Sequence, residues 1–324
     1  MRERLSRLSD NQGAKSPAVC PEGPHAGFFI FRGRTPAAAS PAQELAAPGL
    51  KYNRKGFLRR SRPSLPQELD STMEILRPGA TAQSARIALF DFDGTISTIR
   101  SGWVEVMVPM MVEALVETKS GESEAELTEI VREFVGRLTG RQTIYQMIEL
   151  TEHISKRGGT PKDPLEYKHR YLDLLWEQIK GRVDDLEKGR VSPTEYVVPG
   201  SYELLDLLRE RGLKFYLASG TDHDYMKREA HLLGLEKYFG EHIYGALDDY
   251  KSFSKAILIQ RLISAAEVKG EEFLGFGDGY VEIENVRQVG GVTVGVASDE
   301  PACLKVDEWK RERLVKVGAD YIVP

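Results

Sequence analysis

Ile87-Ala88-Leu89-Phe90-Asp91-Phe92-Asp93-Gly94-Thr95 is the stretch on which the reading of this chain turns. Its first four residues are continuously apolar, as a strand buried on both faces of a parallel sheet must be. The run ends in two carboxylates one residue apart, and Gly94 lets the backbone turn sharply where the strand stops. Side chains alternate along a strand, so Asp91 and Asp93 share one side and Phe92 takes the other. Open α/β sheets place their chemistry at the carboxyl ends of strands. Two acids there suit a nucleophile and a proton-transfer group, with a cation between them.

Three further segments set polar residues at the ends of elements. Tyr216-Leu217-Ala218-Ser219-Gly220-Thr221 closes a strand on hydroxyls. Ser254-Lys255-Ala256-Ile257 puts a lysine where a helix begins, and Gly275-Phe276-Gly277-Asp278-Gly279-Tyr280-Val281-Glu282 ends a strand in an acidic, glycine-rich turn. In this order, behind Asp-Phe-Asp-Gly-Thr, they resemble the four motifs of the haloacid dehalogenase superfamily of aspartate-nucleophile phosphohydrolases. The resemblance spans about residues 84–324. It implies an α/β fold: a Rossmann-like, doubly wound parallel sheet core with a small α-helical cap domain.

The residues then take roles. Asp91 is the candidate nucleophile, forming an aspartyl-phosphate. Asp93 would protonate the leaving oxygen and then activate water. Ser219, with the Gly220 amide, would bind a phosphoryl oxygen, and Lys255 would neutralise charge, with Lys251 as its rival. Dehalogenases and phosphonate-cleaving members of the superfamily lack an aspartate two residues after the nucleophile, so Asp93 argues for phosphate esters. Converging carboxylates about 4 Å apart repel by roughly 4 kcal/mol at an effective dielectric of 20, which calls for a hard divalent ion. Mg²⁺ is the usual partner of phosphate. The resemblance implies that Asp91, the Asp93 backbone carbonyl and Asp278 hold it; Glu282 would bind it directly or through water.

Blander readings stand beside these. The first two acids could cap a turn. Thr221-Asp222-His223-Asp224 has the Thr-x-x-Asp form of a capping box, which leaves Ser219 for the ligand. Arg100, Trp103, Arg141 and Tyr145 are pocket candidates by location, and equally a solvated rim with Trp103 in a helical core.

Around the motifs, helical spacing of apolar residues runs over Val104–Glu117, Leu127–Leu138, Ile144–Ser155 and Leu165–Ile179. The expected division is therefore a core of residues 84–97 and 198–324, split by a helical cap over 98–197. Alternating helices and strands follow, with strands over Lys214–Ala218, His242–Leu247, Phe273–Gly277, Val292–Val296 and Tyr321–Val323. Residues 1–80 are rich in Arg, Ala, Pro, Ser and Gly and read as a disordered or mis-called extension, with Met73 as a candidate start. The alternative is an organelle transit peptide.

The 324 residues are 41% hydrophobic and 29% charged, as in a globular protein. The net charge of −5 divides into +6 over residues 1–72 and −11 over the remainder, and an acidic body gives no nucleic-acid footprint. No apolar run approaches the roughly 20 residues that span a bilayer. Two cysteines, Cys20 and Cys303, supply no disulfide framework. The expectation is a cytoplasmic, Mg²⁺-dependent phosphatase of a small phosphorylated metabolite, a sugar phosphate or phospho-acid, acting on neither nucleic acid nor membrane. Substrate identity and oligomeric state are left open. The alternatives are a phosphomutase using the same intermediate, and a non-catalytic binding or regulatory protein on this fold.

Overall fold

The computed structural model describes residues 73–247, 254–266 and 268–324, all within the compact unit Pro63–Pro324. The extension over residues 1–72 and the rival Lys251 lie outside the described residues.

The described chain is α/β. Strand β1 (Glu74–Ile75) is followed by β2 (Ile87–Phe90) and then by four helices: α1 (Trp103–Val116), α2 (Glu124–Arg137), α3 (Thr143–Lys156) and α4 (Pro164–Glu187). Then come α5 (Ser201–Glu210), β3 (Lys214–Asp222), α6 (His223–Leu232), α7 (Glu236–Phe239), β4 (Ile243–Ala246), α8 (Lys255–Ala266), β5 (Phe273–Gly277), α9 (Tyr280–Gln288), β6 (Val292–Val296), α10 (Glu308–Val317) and β7 (Tyr321–Val323). The sheet order is β1-β7-β6-β5-β2-β3-β4, parallel throughout except for β1 on β7. From β2 the chain winds outward through β3 and β4, then returns to β5 and winds the other way. The switch point therefore lies at the carboxyl end of β2, between β3 and β5.

The unbroken apolar run of β2 resolves into two layers. Ala88 and Phe90 join the larger core with α1 to α6, while Ile87 and Leu89 face α8 and α9. Phe90 stacks on Phe276 of β5 at 4.5 Å and meets Phe215 and Phe239 edge-on. Behind β2, Gly94 adopts a left-handed φ of 72°, and the Ile96 and Ser97 amides donate back to the Phe92 carbonyl.

Local chemistry sets the helix ends. Ser123 and Glu126 form a reciprocal capping box on α2. Asp163 caps α4, with Pro164 at its first position. The structure extends that helix to 24 residues, beyond the Ile179 end that the sequence suggests. Val183 and Leu186 continue the buried spacing across Gly181, a residue that costs the helix less than its packing returns.

Two elements differ from the sequence reading. Strand β1 lies within the stretch read as extension up to residue 80, yet it joins the sheet: it pairs Glu74 with Ile322, and Glu74 receives both Nε and Nη2 of Arg311. Helix α10 has no apolar periodicity that predicts it: six of its ten residues are charged, only Leu314 and Lys310 are buried, and Trp309 and Val315 are exposed.

Strand β1 also brings Arg77 to the fully buried Asp320, at 2.5 Å. In a chain that begins at Met73, deleting Met73–Ala85 should cost about 1–3 kcal/mol by stripping Asp320 of that partner and baring the β7 edge. Urea unfolding reads this as a lowered midpoint; an unchanged midpoint would show that β1 contributes nothing.

Candidate active site

The ends of β2, β3 and β5 bring Asp91, Asp93, Ser219, Gly220 and Asp278 to the wall of one cavity. The Asp91 amide donates to the Phe276 carbonyl, continuing the β2–β5 ladder, and the Asp278 amide donates to Thr95 Oγ1 at 3.0 Å. The first and fourth segments are thereby tied through the backbone.

Asp91 is 4% exposed, and Lys255 Nζ lies 2.9 Å from its Oδ1. Burial pushes the Asp91 carboxyl above its usual range, Lys255 opposes that, and Asp278 adds to it. Asp93 is pushed up to about 7, chiefly by burial, with the Arg100 guanidinium opposing. Its two oxygens are differently placed. Oδ2 accepts from Thr221 Oγ1 at 2.7 Å and from Ser219 Oγ at 3.2 Å. Oδ1 is buried without a hydrogen-bond partner, 3.9 Å from Arg100 Nε.

Thr221 thus differs from its sequence reading. β3 runs on to Asp222 through an irregularity after Ala218, so α6 starts at His223 and Thr221 is not its cap. Its hydroxyl is directed instead to Asp93. Glu282 is fully buried and does not line the cavity; its carboxylate lies against the Lys255 ammonium, which it shares with Asp91.

The helical stretch contributes the opposite wall. Arg100, Trp103 and Arg141 line the same cavity as the acids, while Tyr145 lines a neighbouring one with Ser219 and Lys255. Arg100 is buried and held by Glu229 of α6 through Nε and Nη2. The turn between α2 and α3 is wedged between two core loops. A Cβ on Gly220 would overlap the Arg141 carbonyl, and one on Gly279 would stand 3.2 Å from both Gly140 Cα and the Thr139 carbonyl. Arg141 Nε donates to Tyr280 OH at 2.9 Å. On the outer side of α2, the Trp309 indole of α10 lies against Gly136.

Several participants escaped the sequence. Glu229 lies 129 residues from Arg100 and reads as one more charge on an amphipathic helix. Glu300 and Lys310 fall in a polar stretch, yet Lys310 Nζ is 3.0 Å from Asp278 Oδ2. No spacing signal marks any of the three.

The donors at the cavity are hard oxygens. Among the described residues no three His, Cys, Asp or Glu side chains are gathered as a metal cluster. Asp91 and Asp278 supply two carboxylates, and the Asp93 carbonyl stands on the same turn. Their charges raise one another's proton affinity, Asp278 acting on Asp91 and Asp91 on Asp93. That chemistry fits a small divalent cation with carboxylate and carbonyl ligands.

Two outcomes follow. The Asp93 carboxyl, raised from about 3.9 in the unfolded chain, favours folding in its neutral form. This contribution is full below about pH 4 and is lost as pH rises through about 7. In chelator, wild type should therefore lose stability relative to Asp93→Asn between these limits, read as the difference in urea midpoint; parallel profiles would refute the shift. Gly220→Ala should cost about 1–3 kcal/mol by overpacking and should lift the Arg141 turn, increasing its protease sensitivity.

The family model of haloacid dehalogenase-like hydrolases matches residues 85–290. No curated protein matches the chain. Similar solved structures include a predicted phosphoglycolate phosphatase from Haemophilus somnus 129PT, at 13% identity over 74% of this chain and 93% of that one, with a TM-score of 0.47. A HAD hydrolase of family IA, variant 3, from Entamoeba histolytica HM-1:IMSS is 19% identical over 74% and 92%, with a TM-score of 0.47. A β-phosphoglucomutase from Clostridium difficile is 14% identical over 71% and 99%, with a TM-score of 0.45. The family match takes in β2 through α9, and the chain belongs to the haloacid dehalogenase-like hydrolases.

Proposed function

We propose that this hydrolase is a Mg²⁺-dependent phosphatase of a small phosphorylated metabolite, a sugar phosphate or phospho-acid, working through an aspartyl-phosphate on Asp91. The observation that carries the reading is the differently held pair at the cavity: Asp91 ion-paired to Lys255, and Asp93 with Oδ2 bound by two hydroxyls and Oδ1 without a hydrogen-bond partner. A carboxylate held against an ammonium suits the nucleophile, and a carboxyl pushed up to about 7 suits the proton-transfer group.

Asp91 attacks phosphorus, and the bond to the leaving oxygen breaks as that oxygen takes a proton from Asp93. Hydroxyls occupy Asp93 Oδ2, so the proton belongs on Oδ1, the oxygen without a hydrogen-bond partner. Asp93, now ionised, takes a proton from water as the water attacks the aspartyl-phosphate, releasing phosphate and restoring Asp91. Ser219 and the Gly220 amide bind a phosphoryl oxygen, and Lys255 offsets the charge of Asp91 and the phosphoryl group. A divalent cation held by Asp91, the Asp93 carbonyl and Asp278 would supply further neutralisation of the phosphoryl oxygens. Helices α1 to α4 act as a lid, with the α2–α3 turn excluding water and limiting the size of the leaving group.

The test is phosphate release from a panel of phosphorylated metabolites, with Mg²⁺ and with EDTA. Asp91→Asn should abolish release, and Asp93→Asn should lower kcat about 10²–10⁴-fold. Release undiminished in Asp91→Asn, or none from any ester by folded protein with Mg²⁺, would sink the proposal; a hexose phosphate isomerised without phosphate release would point to a mutase.

A further inference from the structure

Lys310 is the cation of the site to which no motif points. Its side chain is almost wholly buried, with Nζ 3.0 Å from Asp278 Oδ2 and 2.5 Å from Glu300 Oε1. Glu300 is fixed in turn, since its Oε2 accepts from Ser101 Oγ at 2.8 Å. Gly94 passes so close that a Cβ there would overlap the Asp278 carboxylate and stand 2.8 Å from Glu300 Oε1. Asp278 therefore has an acid on either side: Asp91, whose proton affinity it raises, and Glu300, with which it shares one ammonium. Arg313, one turn further along α10, adds positive potential, but its guanidinium lies 4.0 Å over the Trp309 ring and its two Nη atoms have no hydrogen-bond partner.

Two carboxylates a few ångströms apart are themselves a site for a hard divalent ion. We propose that Lys310 is an internal counter-ion that blocks the Asp278–Glu300 pair and thereby confines the divalent cation to the Asp91 side of Asp278, where the nucleophile is. Lys310 and Glu300 are positioning residues in this scheme and touch neither substrate nor phosphorus. The inference rests on the reading that Asp278 holds the cation. The ammonium lowers the affinity of the site for a second positive charge, and Glu300 restrains the ammonium by drawing it away from Asp278.

The signs of three variants follow. Lys310→Met bares both acids, so Mg²⁺ should bind about tenfold tighter while kcat falls, because the ion is drawn away from Asp91. Glu300→Gln leaves the ammonium wholly to Asp278, so Mg²⁺ should bind several-fold more weakly. The double variant removes both charges and should return the affinity toward that of wild type. Calorimetric titration of substrate-free protein with MgCl₂ reads all three, and Glu300→Gln alone decides the matter should Lys310→Met not fold. If wild type binds no Mg²⁺, the metal assignment itself fails. If wild type binds Mg²⁺ and either single variant binds it equally or in the opposite sense, the counter-ion role fails and the metal assignment stands.

Discussion

Everything at this site answers to one constraint: carboxylates brought together at the ends of β2 and β5 repel, and burial removes the water that would screen them. Each is given its own cation from a different part of the chain. Asp91 has Lys255 from the start of α8, Asp93 has Arg100 from the turn before α1, and Asp278 has Lys310 from α10. Each of these cations carries a second acid: Glu282 lies against Lys255, Glu229 holds Arg100 in place, and Glu300 shares Lys310. The result is a shell of paired charges, still richer in acids than in cations, whose contacts fix the oxygens in place, the preorganisation that electrostatic catalysis requires.

The same shell joins the helical insert to the sheet. Arg100 precedes α1 yet is held by α6, and Lys168 of α4 reaches Asp222 at the end of β3, at 2.8 Å. The α2–α3 turn is seated by close backbone approach, where Gly220 and Gly279 leave room for it on either side, and by the Arg141 side chain on Tyr280. Glycine at these positions serves close approach, and neither has a left-handed φ. The α2–α3 turn therefore meets the very loops that carry Ser219 and Asp278.

The sheet was legible because its strands are short apolar runs that end in conspicuous residues; β5 and α8 have the bounds that spacing alone suggests. The acids, Ser219 and Lys255 were legible for the same reason, each lying at or beside an element end. What escaped was of two kinds. Thr221 was misread because β3 continues past Ala218, and a local capping pattern cannot reveal that a strand has not yet ended. Glu229, Glu300 and Lys310 escaped because their meaning lies in partners far away in sequence or across a turn, and a lone charge on a polar helix announces nothing. Glu282 shows the converse: its spacing from Asp278 resembles a motif, while its packing turns it to Lys255.

Helix α10 carries two consecutive residues with different duties. Lys310 reaches inward to Asp278, and Trp309 lies outward on Gly136 of α2. The helix is thus a shared beam between the acid cluster and the roof, and a shift of either is felt by the other through one turn of backbone. Trp309 is 45% exposed at that seam, where water reaches part of its indole while Gly136 of the insert and the Arg313 guanidinium cover the rest. The joint thus holds a chromophore, one of three in the chain, and with Trp103 and Trp176 replaced its emission colour would report whether the insert rests on the beam.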